Sequence, residues 1–154
     1  MEIKTLTKKP DNSQNTKLQN IFSQFERLLA ELKKMELPDN IIISINSGIE
    51  QINAASGAEK EWIKQIKRTQ TAILKILEKE LKLVTKDHYR NTWLAVGMSV
   101  FGIPLGFAFG MSLDNMGLLG LGLPIGMAIG LAVGSAMDKK AQEEGRQLDL
   151  VIKY

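Results

Sequence analysis

Residues 91–137 read NTWLAVGMSVFGIPLGFAFGMSLDNMGLLGLGLPIGMAIGLAVGSAM, and Asp114 is their only ionisable side chain. On either side of Asp114 the chain is uncharged for about twenty residues or slightly more, the length one membrane-spanning helix requires. The segment also repeats itself. Gly102-Ile103-Pro104-Leu105-Gly106-Phe107-Ala108-Phe109-Gly110 returns as Gly122-Leu123-Pro124-Ile125-Gly126-Met127-Ala128-Ile129-Gly130, and Gly97 and Gly117 keep the same offset. A duplicated helix folded into a hairpin across a membrane is expected, with spans at about 92–113 and 116–137.

A second pattern runs inside the repeat. From Gly120 to Gly134 every even position is Gly, Pro or Ala and every odd one is Leu, Ile, Met or Val; Phe101 to Leu113 alternates in the same phase. Period two is nominally a strand signal, but a lone β-hairpin leaves sheet edges that lipid does not tolerate. Its inward face would hold Gly, Ala and Pro rather than polar groups, and each strand would lose a ladder bond at a proline. On a helix, steps of four return nearly to the starting direction and steps of two point the opposite way. Each helix therefore carries two opposed small-residue stripes. In the second they are Gly122, Gly126, Gly130, Gly134 and Gly120, Pro124, Ala128, Ala132, Ala136; in the first, Gly102, Gly106, Gly110 and Pro104, Ala108, Ser112. Such stripes let membrane helices approach until dispersion dominates. One stripe per helix suffices to close a hairpin, and two predict neighbours on both sides, hence a homo-oligomer.

The runs Gly102-x3-Gly106-x3-Gly110 and Gly122-x3-Gly126-x3-Gly130-x3-Gly134 resemble those of bacterial glycine-zipper membrane proteins. The resemblance covers the last third of the chain. It implies close helix packing and often homo-oligomers, some of them channels or membrane-perturbing, and it names no substrate. The lipidated cysteine of the lipoprotein members is missing here.

Flanking charge predicts the topology. Lys82, Lys86 and Arg90 precede the first span, Lys139, Lys140 and Arg146 follow the second, and the connecting loop carries no cation. The positive-inside rule then puts both termini in the cytoplasm, with a bacterial inner membrane as the expected location. Lys86, Tyr89, Arg90, Trp93, Lys139 and Lys140 are the expected membrane-interface residues, Tyr89 and Trp93 as aromatic anchors.

Outside the hairpin the chain is charged. Residues 1–13 are polar, contain Pro10 and are expected to be flexible; no signal peptide is read there. A cytoplasmic helical domain is expected over 14–90. Its first helix starts near Ser13, capped by Asp11, Asn12 or Ser13, with an amphipathic, coiled-coil-like seam of Leu18, Ile21, Phe22, Phe25, Leu28, Leu29, Leu32 and Met35. Leu37-Pro38 ends it. The β-branched run at 41–45 could suit a strand, but Ile49 and Ile52 continue a helical spacing. Ser56-Gly57-Ala58-Glu59 has the form of a capping box. It opens a helix expected to run from Gly57 to His88 and unbroken into the first span, its apolar face Trp62, Ile63, Ile66, Ile73, Leu74, Leu77, Leu81 and Val84. Residues 138–154 are expected to be a cytoplasmic tail, in which 147–154 alternate like a short strand or fray.

The net charge of +3 comes from cations interleaved with carboxylates, so nucleic acid is not an expected partner. The chain has no cysteine and one histidine, His88, beside Tyr89 and Arg90 where a solvated or interfacial role is expected. The hairpin glycines lack the lysine of a phosphate loop, and Asp114 sits in a turn-forming Leu-Asp-Asn-Met-Gly. No catalytic, cofactor or metal site is read, and an enzyme is not expected. Two functions compete. The first is a self-assembling membrane protein that forms a pore or weakens the barrier, as a toxin or defence effector would. The second is a non-conducting anchor whose N-terminal helices recruit a cytosolic protein. The lipid bilayer is a partner in both.

Overall fold

The computed structural model describes residues 2–7, 15–55 and 58–152. Among them the regular elements are helices, apart from two two-residue strands, so the fold is all-α. The chain divides into two compact units. One comprises residues 1–84 with 148–154, and the other is the inserted segment 85–147.

In the first unit, α1 spans Thr16–Leu32 and buries seven of the eight seam residues, Leu18 through Leu32; Met35 packs beyond its end. Asn15 caps it, its side-chain oxygen accepting from the amides of Lys17 at 3.1 Å and Leu18 at 3.3 Å. The expected caps at Asp11–Ser13 lie outside the described residues, as do Ser56 and Gly57 of the capping box. Pro38 stands just before α2, Asp39–Ala54, which is helical throughout. Ile41, Ile42, Ile45, Ile49 and Ile52 face the core, and Ile43, off that face, is 53% exposed. The helical spacing therefore outweighs the β-branched run. Residues 2–7, expected to be flexible, lie extended along α2. Asn46 accepts from the Lys4 amide and donates to the Glu2 carbonyl; Asn53, two turns on, does the same for Thr7 and Thr5. Each asparagine side chain thus stands in for one rung of a β-ladder.

The long helix expected over 57–88 is two helices. The first, α3, spans Glu59–Ile76 and widens into a π turn at Leu77–Leu81. Lys82 then adopts a left-handed conformation (φ 57°) and ends it, the Leu83 amide reaching back to the Leu77 carbonyl. The break lets Leu83 and Val84 turn inward, where they are 7% and 3% exposed. Val84–Thr85 (β1) pairs with Gln147–Leu148 (β2). The alternation at the chain's end is real: Leu148, Leu150 and Ile152 join the core of α1, α2 and α3. Trp62, at the rim of that core, packs at a tilt against Phe22 with ring centroids 5.9 Å apart and donates its indole N–H to the Ile52 carbonyl.

Candidate functional site

The second unit is a helical hairpin. Its first arm is α4, His88–Val96, a π turn at Gly97–Gly102, and α5, Ile103–Ser112; its second is α6, Leu119–Glu143. A short 3₁₀ turn, Met116–Leu118, precedes α6, and Asp114 holds the loop with a left-handed φ of 48°. Counted as continuous helices, the arms span His88–Ser112 (25 residues) and Met116–Glu143 (28 residues), both long and apolar enough to cross a membrane.

The glycines lie where the two backbones meet. A methyl carbon on Gly122 would come within 2.6 Å of the Gly106 Cα, one on Gly126 within 2.6 Å of the Gly102 Cα, and one on Gly134 within 2.6 Å of the Arg90 Cα. Gly130 faces Trp93 and Leu94, Gly102 faces Gly122 and Leu123, Gly106 faces Leu119, and Gly110 faces Asn115 and Met116. These seven glycines, expected to mediate contacts between chains as well, are occupied in joining the two arms of one chain. The opposite stripe is turned outward: Pro104, Ala108 and Ser112 on one arm and Gly120, Pro124, Ala128, Ala132 and Ala136 on the other are exposed.

Gly97 belongs to the same contact, since a methyl there would meet the Gly130 Cα at 2.8 Å. The repeat includes Gly97 but the stripe does not, and the step from Gly97 to Gly102 is five residues, which on an α-helix turns well off the stripe. The π turn removes the discrepancy. Its bonds close over five residues, as the Ile103 amide donating to the Met98 carbonyl shows, so Gly97 and Gly102 face the same way. Pro104 lies just beyond, where its missing N–H and its ring favour such a widened turn. Pro124 is instead taken into an α6 that continues as an α-helix. The duplicated prolines are accommodated differently.

The base of the hairpin is fixed by Asp138, a residue to which the sequence by itself assigns no role. It is only 8% exposed. Its two carboxylate oxygens accept from the amides of Tyr89, at 3.0 Å, and Arg90, at 2.9 Å, the second and third residues of α4. Asp87, the residue before α4, has a left-handed φ of 59° and its side chain makes no capping bond. One arm therefore caps the other, and a carboxylate suits the positive end of a helix. A carboxylate following an apolar run that is otherwise flanked by lysines was the available signal. Asp138→Ala should cost about 2 kcal/mol, since two poorly hydrated N–H groups lose a charged partner. Denaturant unfolding of the detergent-solubilised protein measures this, and a loss below about 0.5 kcal/mol would contradict the cap.

Beyond Asp138, α6 runs on to Glu143, further than the expected span. It ends with Gly145 at φ 67°, the Arg146 amide bonded to the Ala141 carbonyl and the Gly145 amide to that of Gln142. Arg146 pairs with Glu144, which its hydrogen bond holds below the usual carboxylate pKa. The expected interface residues fall at this base: Lys86, Arg90, Lys139 and Lys140 are exposed, and Tyr89 and Trp93 are half-buried. The rings of His88 and Tyr89 meet edge to face at 5.1 Å. Among the described residues no group of three or more His, Asp or Glu could hold a metal ion.

The outward surface is a shell of large apolar side chains. Val100, Ile103, Met111, Leu113, Met116 and Leu121 are each more than half exposed, and only 22% and 17% of the most apolar window of each arm is buried. The core helices of a soluble protein would hide such windows. Comparison with protein-family models, with curated proteins and with solved structures returned no match. The functional reading therefore rests on geometry.

Proposed function

We propose that this protein is anchored in a membrane by the hairpin and holds its helical unit at that membrane's surface. The observation that carries the reading is the apolar shell. On a water-soluble protein, contiguous exposed apolar area of this kind is an association liability; in lipid it is the expected exterior. Both arms are helical, so backbone groups are satisfied within each segment as lipid requires. That the first unit draws its core from residues before and after the hairpin supports a topology with both ends of the hairpin on one side. Lys82, Lys86, Arg90, Lys139, Lys140 and Arg146 make that side the cytoplasmic one, in a bacterium the inner face of the cytoplasmic membrane.

The geometry favours an anchor over a pore. The glycine stripes are taken up within the chain, and among the described residues of the two arms exposed polar side chains are few. The Ser99 hydroxyl, for example, donates to the Ala95 carbonyl of its own helix. A second reading, assembly of several hairpins into a membrane-perturbing homo-oligomer, rests on the exposed Ala108, Ala128 and Ala132 stripe, which offers close approach to another copy.

The chain has no cysteine, so one can be introduced as a unique label. In intact bacteria expressing the full chain, Asp114→Cys should react with a membrane-impermeant maleimide and Lys60→Cys should not. Both proteins should stay in the membrane pellet after an alkaline wash. Release by that wash would overturn the anchor. Dye release from liposomes bearing the purified protein, at a level well above that of empty liposomes, would favour the second reading instead.

A further inference from the structure

At the base of the hairpin Lys86, Arg90 and Lys139 line one cleft of about 350 Å³, together with Ser135, Gln142 and Gln147. Two carboxylates share it. Asp138 is committed through both oxygens to the amides of Tyr89 and Arg90, and Asp87 lies 3.4 Å from the Arg90 guanidinium. Lys139 also reaches Glu143 at 3.8 Å. The Arg90–Asp87 and Lys139–Glu143 pairs lie at the surface and are of the kind that contributes little, so an incoming anion displaces them at small cost. Three cations from both arms converge on a concave site, with Ser135 and glutamine amides as neutral donors.

Resting on the anchor reading, we infer that this cleft binds the phosphate of an anionic phospholipid headgroup. The ligand class follows from what adjoins the cleft. One turn above Arg90 stands Trp93, and next to the cleft residues of α6 are Val133 and Met137, each 36% exposed. A molecule with an anionic head and apolar tails matches cations at 86, 90 and 139 followed at once by outward apolar side chains. Free phosphate would use only the first half of that pattern. The cleft volume falls within the range of small-ligand sites and has room for a phosphodiester with its glycerol. Its occupant would tie α4 to α6 from outside, as Asp138 does from within.

The test uses the full chain in neutral detergent, with phosphatidylglycerol and phosphatidylcholine titrated separately and bound lipid counted by native mass spectrometry. The wild type should prefer phosphatidylglycerol by about tenfold or more, each nearby cation contributing severalfold. The triple variant Lys86→Gln, Arg90→Gln, Lys139→Gln should lose that preference. A matched triple on α3, Lys60→Gln, Lys64→Gln, Lys75→Gln, removes the same charge elsewhere and should keep it. Circular dichroism checks that both variants retain their helix content. Equal binding of the two lipids by the wild type, or equal loss in the two triples, overturns the site. Displacement of the lipid by an equal concentration of inorganic phosphate overturns the lipid assignment. An alkaline wash of membranes separates the two readings: protein held in the pellet without lipid preference removes the headgroup site alone, and wild-type protein released from the pellet removes the anchor.

Discussion

A chain ending at Gln147 should fail to fold its first 84 residues, although every helix of that unit would still be present. The truncation removes Leu148, Leu150 and Ile152, which are 3%, 6% and 7% exposed in the core. Burial of each is worth about 1.5–3 kcal/mol, so the loss is roughly 5–9 kcal/mol against a typical total of about 5–15. Near-ultraviolet circular dichroism of Trp62, held against Phe22 and the Ile52 carbonyl, reports that core directly. Its signal should collapse in the truncated chain. Replacing residues 85–147 by a short glycine-serine linker should preserve it, because Val84 and Leu148 belong to paired strands and closing a short loop costs little. On the anchor reading, the shortened protein should also need no detergent. A truncated chain with an intact Trp62 signal would show that the last residues are not part of the core. The consequence for function is that a fragment ending before the hairpin is a poor bait for a cytosolic partner, whereas the linker-joined unit is a fair one.

Gly122→Ala should destabilise the hairpin by about 3 kcal/mol, while Gly120→Ala, two residues away on the same helix, should stabilise it by about 0.5–1 kcal/mol. At Gly122 the added methyl collides with the carbonyl of Gly102 and with the backbone of Gly106, and backbone cannot step aside as a side chain can. At Gly120 nothing lies within 4 Å, so alanine brings only its better helix propensity. Denaturant unfolding in a fixed detergent measures both. Substitutions of equal sign and size would mean that the two stripes are not distinguished, and that the arms do not meet as described. Leucine at Gly126 or Gly130 should act in the same sense, first by opening one chain's hairpin; any effect on assembly would follow from that.

Much of this was legible in the residues themselves. The absence of charge between Asn91 and Met137 other than Asp114, and the four-residue steps of glycine, require two apolar helices with close-approach faces whatever surrounds them. The spacing of Leu18 to Leu32 and of Ile41 to Ile52 likewise implied helices with one buried side. These are local properties, set by the geometry of a helix and the chemistry of each side chain. Less accessible was the break at Lys82–Asp87. No glycine or proline marks it, and two non-glycine residues enter the left-handed region because Leu83 and Val84 gain a core that the sequence does not display. Gly97 was hidden by a five-residue step that only a π turn corrects.

Sequence alone thus determined that the chain is largely helical and which two segments are long and apolar enough to cross a membrane, since each depends on a run of neighbouring residues. Tertiary structure decided which stripe closes the hairpin within the chain, which carboxylate caps which helix, and that the last residues complete the core of the first. Those outcomes depend on pairs such as Gly122 with Gly106, Asp138 with Tyr89 and Arg90, and Leu148 with the helices before it. Their partners are far apart along the chain, and only the folded backbone brings them within contact distance.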